Sequence, residues 1–210
     1  MKSWLFEQKN KLILPYHWMK GRGIFKYKGE NLRYYIHWYN HTWDNSRKIE
    51  LPIFFKLRKE NDEKRILEVG NVMNHYKTRL FISILDKYED EYGVINEDIV
   101  DYHPKIKYDV VLSISTLEHV GFDEEVKDPK KFIRAIENIR DNILSPGGFL
   151  LFSVPLGYNP WLDSILYNKI VHFDEETYYH REGNEWKVVE WKNEKNLKMG
   201  EYLLVGRINK

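Results

Sequence analysis

The chain has 210 residues, 42% of them apolar, which is enough for one α/β domain plus an appendage and too much for a short disulfide scaffold or a disordered chain. Lys and Arg number 33 against 32 Asp and Glu, and the net charge of +1 excludes a molecule that grips nucleic acid through its overall charge; the excess is local, with 13 basic and 5 acidic residues in 1–60 and 20 and 27 in the rest. Having no cysteine, the chain has no disulfides, thiolate metal ligands or thiol nucleophile, and with no apolar run near the roughly 18 residues of a membrane span and no secretory core between Met1 and Lys11, a cytoplasmic protein is expected.

Residues 1–45 are dense in aromatics, among them Trp4, Phe6, Tyr16, Trp18, Tyr34, Tyr35, Trp38, Tyr39 and Trp43, interleaved with Lys and Arg and without a sustained period. This reads as an N-terminal extension or lid ahead of a domain over 46–210. Asn45 and Ser46 are caps for a helix running to about Lys59, because their side-chain oxygens can take the free amides of a first turn. Pro52 should kink or delay that helix. Beyond a charged linker, short apolar runs recur: Arg65 to Gly70, Leu80 to Asp86, Tyr92 to Asp98 and Tyr108 to Ser115. A helix is predicted between Asp128 and Leu144, where Phe132, Ile136, Ile139 and Ile143 fall at helical spacing and Asp128-Pro129 supplies a cap and a first-turn proline. Ser145-Pro-Gly-Gly148 stops it, and Phe149 to Val154 is a fifth strand. Glu185 to Trp191 and Glu201 to Ile208 read as an edge pair resembling a hairpin.

Strands alternating with helices predict a doubly wound, mostly parallel sheet. Only 9 residues separate Gly70 from Leu80, fewer than a crossover normally needs, so the first connecting helix should be very short or replaced by a loop. In such a sheet ligands bind beyond the carboxyl ends of the strands. Those ends carry Glu68 and Gly70, Asp86, Asp98, and Ser113 with Ser115. Gly70 lets backbone approach a ligand, Asp86 can take both hydroxyls of a ribose, and Asp98 can accept from an exocyclic adenine amine. Acids without a phosphate nest suit a sulfonium cation. A dinucleotide needs the opposite, and Gly70-Asn-Val-Met-Asn74 has one glycine where a pyrophosphate turn needs three.

Ile66-Leu-Glu-Val-Gly70 with Asn71, the acids Asp86 and Asp98, the run from Tyr108 to Val120 and Leu144-Ser-Pro-Gly-Gly-Phe149 resemble, in that order, the motifs of class I S-adenosylmethionine-dependent methyltransferases. The likeness covers roughly Arg65 to Pro155, and Asn40 to Pro160 is similar to a bacterial and archaeal small-molecule-type subgroup. The resemblance implies a Rossmann-like fold and S-adenosylmethionine as cofactor, with Glu68, Gly70 and Asn71 at its methionine end, Asp86 at its ribose, Asp98 and Ile99 at its adenine, Ser113 on the floor, and Lys87 and Ser115 also among the binding residues. The chain departs from the family pattern in lacking a second glycine after Gly70.

The reaction so implied moves a methyl from sulfur to oxygen or nitrogen by in-line displacement. Positioning supplies most of the acceleration, and a base helps where the acceptor keeps its proton. His119 is the best placed base, with His41 or His75 as substitutes. Tyr39, His41, Trp43 and Arg47 are expected to close one side of the acceptor pocket and Tyr158 and Asn159 the other. The acceptor is expected to be a small molecule or glycan-type compound; stacking of nucleic acid on the basic aromatic front end is the competing reading. The competing readings of a doubly wound sheet are a non-catalytic binding module for RNA or a protein partner, a nicotinamide-dependent oxidoreductase, against which the missing glycine fingerprint counts, and transfer of a different group such as an aminopropyl. No metal site is expected, since the eight histidines include no His-x-x-x-His pair with a carboxylate partner.

Overall fold

The computed structural model describes residues 15, 16, 19, 22–77, 80–191 and 197–210; Trp4, Phe6 and Trp18 lie outside the described residues. An antiparallel hairpin, β1 (Ile24–Tyr27) with β2 (Glu30–Arg33), precedes the helix α1 (Arg47–Glu60). The sheet strands are β3 (Ile66–Val69), β4 (Ser83–Leu85), β5 (Val94–Ile95), β6 (Tyr108–Ile114), β7 (Leu144–Pro155), β8 (Glu175–Glu182), β9 (Glu185–Val189) and β10 (Tyr202–Asn209). They lie in the order β5-β4-β3-β6-β7-β10-β8-β9. β5 through β7 in that order are mutually parallel, β10 is antiparallel to both β7 and β8, and β9 is antiparallel to β8. The expected mostly parallel sheet is therefore present.

Side-chain alternation along the strands builds two apolar layers, one on each face. Leu67, Val69, Val111, Leu150, Phe152 and Val154 pack with Phe132, Ile136, Ile139 and Ile143 from α2 (Lys131–Asn138) and the wider π turn (Ile139–Ile143) that continues it. Leu162 and Ile165 of α3 (Pro160–Tyr167) join them. Ile66, Val110, Leu112, Ile114 and Leu151 face the other way, onto Ile49, Ile53 and Phe54 of α1 and onto Phe25 and Tyr27 of the hairpin. The front hairpin is thus part of a core, with Phe25 edge-on to Tyr179.

Three features explain where sequence and structure part. α1 runs on through Pro52: the Lys48 carbonyl, which would have accepted from an amide at position 52, accepts instead from the Tyr35 amide at 2.9 Å. β9 and β10 do not pair with each other. β10 inserts between β7 and β8, because Leu203, Leu204 and Val205 are all buried and such a run belongs inside a sheet, whereas β9 buries little beyond Trp186 and takes the edge. β8 gives no strand signal because its Glu-Glu-Thr-Tyr-Tyr-His-Arg-Glu sequence is polar except where Tyr178 and Tyr179 enter the cores. The first crossover is as short as the spacing requires, a single 3-10 turn (Met73–His75). No helix among the described residues is long and apolar enough to cross a membrane.

The last turn of α2 fixes the loop after β5. Asn138 donates through Nδ2 to the carbonyls of Ile99 at 2.7 Å and Tyr102 at 3.0 Å, all buried. Asn138→Ala leaves both carbonyls without a partner and should cost ~1–3 kcal/mol. Urea denaturation measures it, and an unchanged midpoint would show that water replaces the amide.

Candidate active site

Four strand ends meet at the centre of the sheet edge. Gly70 follows β3, Asp86 follows β4, Asp98 lies three residues past β5 and Thr116 two past β6. Gly70 has φ +85°, and a Cβ there would collide with Thr116 Oγ1, with Cγ2 only 2.8 Å away. The backbone of β3 thus turns against the Thr116 side chain with no room between, and only glycine fits.

Two cavities open on either side of this contact. The first, of about 280 Å³, is lined by Gly70, Leu85, Asp86, Lys87, Asp98, Ile99, Thr116 and His119 together with Glu97, Asp123 and Glu124. The second, of about 220 Å³, is lined by Tyr39, Asn40, Arg47, Asn71, His75, Tyr76 and Glu89, and shares Gly70, Asp86 and Thr116 with the first. They are two lobes of one cleft at the position where doubly wound sheets hold ligands.

Asp86 faces both lobes. Its Oδ1 accepts from the amides of Tyr88 at 2.9 Å and Glu89 at 3.0 Å, which shapes the loop after β4. Asp98 lines the first lobe inside an ion cluster. Its Oδ2 accepts from Lys131 at 2.5 Å and Lys87 at 2.8 Å, and both lysines also reach Glu124. Burial would raise the Asp98 carboxyl, but the lysine bonds and the Val100 amide outweigh it and hold the group below the usual carboxylate range. Lys87 is pushed above its ordinary range, first by its bond to Asp98.

In the second lobe Tyr39 stacks on His75 with centroids 5.1 Å apart, and His75 Nε2 lies 3.4 Å from Glu89. Asn71 is 3% exposed and, among the described residues, neither atom of its amide has a partner. Buried amides are rarely left so.

Several expected residues support the cleft from behind. Glu68 lines neither lobe: it is fully buried, and its Oε1 accepts from the amides of Val72 at 2.9 Å and Met73 at 2.8 Å, capping the short crossover turn. Ser113 is buried under the sheet edge, away from both lobes. Ser115, at φ +39°, turns its hydroxyl onto the Glu50 carboxylate rather than into the cavity. His41 and Trp43 stack on each other, 5.0 Å apart, outside the lobe walls. Asn159 caps α3, accepting from Trp161 and Leu162, and donates to the Glu118 carbonyl at 2.7 Å. Tyr158 stands at the rim: its hydroxyl donates to Asp123 at 2.5 Å and its ring lies edge-on to His119, whose Nδ1 pairs with the same Asp123.

Sequence reasoning misses Thr116, Asp123, Glu124 and Lys131, which carry no signal outside the fold, and Glu50. The last has one: a lone acid within Ile49-Glu-Leu-Pro-Ile-Phe-Phe55 is an anomaly on an apolar helix.

No family model matches the chain, and no curated protein does. Solved structures similar to it include the N-methyltransferase NodS from Bradyrhizobium japonicum in complex with S-adenosyl-L-homocysteine, at 13% identity over 80% of this chain and 93% of that one, TM-score 0.47. An rRNA methylase from Streptococcus thermophilus is 13% identical over 76% and 95%, TM-score 0.46. The CcbJ methyltransferase from Streptomyces caelestis is 10% identical over 74% and 87%, TM-score 0.40.

Burial pushes the Glu68 carboxyl up to about 8 despite its two amide bonds, so the folded chain holds a proton there that the unfolded chain releases near 4.5. This contribution favours folding fully below pH 4.5 and is lost as pH rises to about 8. Glu68→Gln keeps an acceptor for both amides and has no proton to lose. Relative to wild type its stability should rise steadily between pH 5 and 8; denaturant titrations across that range test this, and parallel curves would show that Glu68 is ionised throughout.

Proposed function

We propose that the chain is an S-adenosylmethionine-dependent methyltransferase, carrying a methyl group to an oxygen or nitrogen of a small-molecule or glycan-type acceptor. The observation that carries this reading is the two-lobed cleft pinched at Gly70 and Thr116, with the Asp86 carboxylate on both sides and a single glycine at the turn after β3. A ligand bent across that pinch has to place its hydroxyl-bearing middle at Asp86. The lobes together fall within the size of small-molecule sites, roughly 300–1,000 Å³.

The residues present fit the cofactor. Asp86 is the acceptor for a ribose diol, Ile99 and Leu85 give the first lobe apolar walls for a purine, and the unpartnered Asn71 amide supplies a donor and an acceptor at the other end. When bound, the cofactor supplies a methyl already activated on a sulfonium. The protein therefore has to orient the acceptor, and alignment alone is worth on the order of 7–11 kcal/mol. His119 is the base in this reading. Its Nδ1 pairs with Asp123, its Nε2 lies 3.6 Å from Glu118 Oε1, and Tyr158 packs edge-on against it at the rim. Tyr39 and Arg47 close the second lobe, so the segment 34–45 serves as a fixed wall.

Calorimetry with S-adenosylmethionine and S-adenosylhomocysteine tests the proposal. Uptake of either is expected, and none at millimolar ligand would end it. Asp86→Asn preserves the Oδ1 bonds that shape the loop but replaces the second acceptor with a donor. The loss of charge-assisted bonds worth ~1.5–3 kcal/mol predicts binding at least about tenfold weaker; equal affinity would remove Asp86 from the site.

A further inference from the structure

Beneath the second lobe lies a buried polar cluster that the proposed reaction does not use. Glu50, fully buried on α1, pairs through Oε2 with Arg47 Nη1 at 2.7 Å. Its Oε1 accepts from two hydroxyls, Ser115 Oγ at 2.5 Å and Ser153 Oγ at 2.6 Å. The two serines come from neighbouring strands, one just beyond β6 and one within β7, and Ser115 holds a left-handed backbone conformation while it bonds. A buried carboxylate is costly unless fully satisfied, and this one is satisfied by a cation on one oxygen and two hydroxyls on the other.

The effect falls on Arg47. Its side chain is 14% exposed and lines the second lobe, and among the described residues its side-chain hydrogen bond goes to Glu50. A guanidinium carries five donors, of which this bond to Glu50 takes one. Across the same small space stands Asn71, buried, with both amide atoms unpartnered among the described residues. A fixed guanidinium and an unsatisfied amide on two residues that line one cavity fit a ligand with two coplanar oxygens. Asp86 and Glu89 also line the lobe, and Glu50 balances the Arg47 charge, so recognition there rests on the fork's geometry rather than on net charge.

We infer that Glu50, clamped by Ser115 and Ser153, is a positioning residue that aims Arg47 into the second lobe, and that Arg47 with Asn71 receives a carboxylate there. The carboxylate belongs either to the amino-acid end of the cofactor or to the acceptor; only this assignment rests on the methyltransferase reading.

The Arg47 Nε–H resonance in 15N-edited NMR, identified by its loss in Arg47→Lys, reports on the site directly. Malonate, the carboxylate probe, is expected to shift it in the wild type. Glu50→Gln should weaken the malonate response about tenfold while the other arginine resonances hold. Ser153→Ala, which leaves the Arg47–Glu50 pair intact, should weaken it in the same direction and serves where Glu50→Gln does not fold. A wild-type resonance indifferent to malonate, or folded variants with unchanged malonate affinity, would overturn the inference. If S-adenosylhomocysteine shifts the resonance and 5′-methylthioadenosine, which lacks the amino-acid end, does not, the carboxylate is the cofactor's; if malonate alone shifts it, the acceptor supplies it. Failure of S-adenosylhomocysteine to bind by calorimetry, with malonate still shifting Arg47, would count against the methyltransferase reading and for this one.

Discussion

The close approach of Gly70 to Thr116 is the constraint around which the cleft is arranged. β3 and β6 are neighbours in the sheet, and the chain leaves each of them within two residues of this contact. With a side chain at position 70 the strand ends would have to part, and the two lobes would lose their common wall. The turn is held from three directions: the Gly70 amide donates to the Leu85 carbonyl at 2.8 Å, the Val72 amide reaches back to the Gly70 carbonyl, and Glu68 collects the amides of Val72 and Met73. A full crossover helix would bring its own first-turn amides to this place. Here one 3-10 turn does so, and a buried carboxylate takes the role that a cap has in a longer helix.

Acids are concentrated at this sheet edge, yet the structure divides them by environment. Asp98 and Glu124 are neutralised by Lys87 and Lys131 in a cluster that ties the ends of β4 and β5 to the start of α2. Glu68 and Glu118 are buried, and desolvation raises both carboxyls. Glu50 is buried with a cation. Asp86 alone among these acids faces both lobes without a lysine or arginine bonded to it among the described residues. The sequence therefore overstates the negative charge offered to a ligand: Glu68, Asp86 and Asp98 all read as facing one, and only Asp86 lines the lobes without a lysine bonded to it among the described residues.

How far the sequence reveals the fold follows from the range of the interactions involved. Strand runs and the amphipathic helix after Pro129 depend on local pattern and are legible, as is the shortness of the first crossover, which is a matter of chain length. The place of β10 is not, because inserting a strand between β7 and β8 is decided by competition among distant edges. Pro52 misleads for a related reason, since the group that relieves its missing amide sits at Tyr35, outside the helix. Among site residues, Gly70 and Asp86 can be found because strand ends are predictable. Lys131 and Glu124 cannot, because their pairing joins segments that only the folded sheet brings together. Ser115 and Glu68 read as facing a ligand, when the Ser115 hydroxyl and the Glu68 Oε1 are bonded to the protein.

That last difference separates two ways in which a polar residue at a strand end contributes to a site. Residues whose hydrogen-bonding capacity is met internally set geometry, and residues left short set affinity. Ser115, Ser153 and Asn159 belong to the first group, each bonded to protein atoms that fix a side chain or a helix start. Asn71 belongs to the second, and so does Arg47 once its side-chain bond to Glu50 among the described residues is set against the number of donors it carries. Both stand in the lobe away from Asp98 and its lysines, so the unmet hydrogen-bonding demand of the cleft lies on the side where the front segment and α1 close it. An arrangement of this kind orders the protein before any ligand arrives, and it leaves the cost of desolvating Asn71 and Arg47 already met in the folded chain.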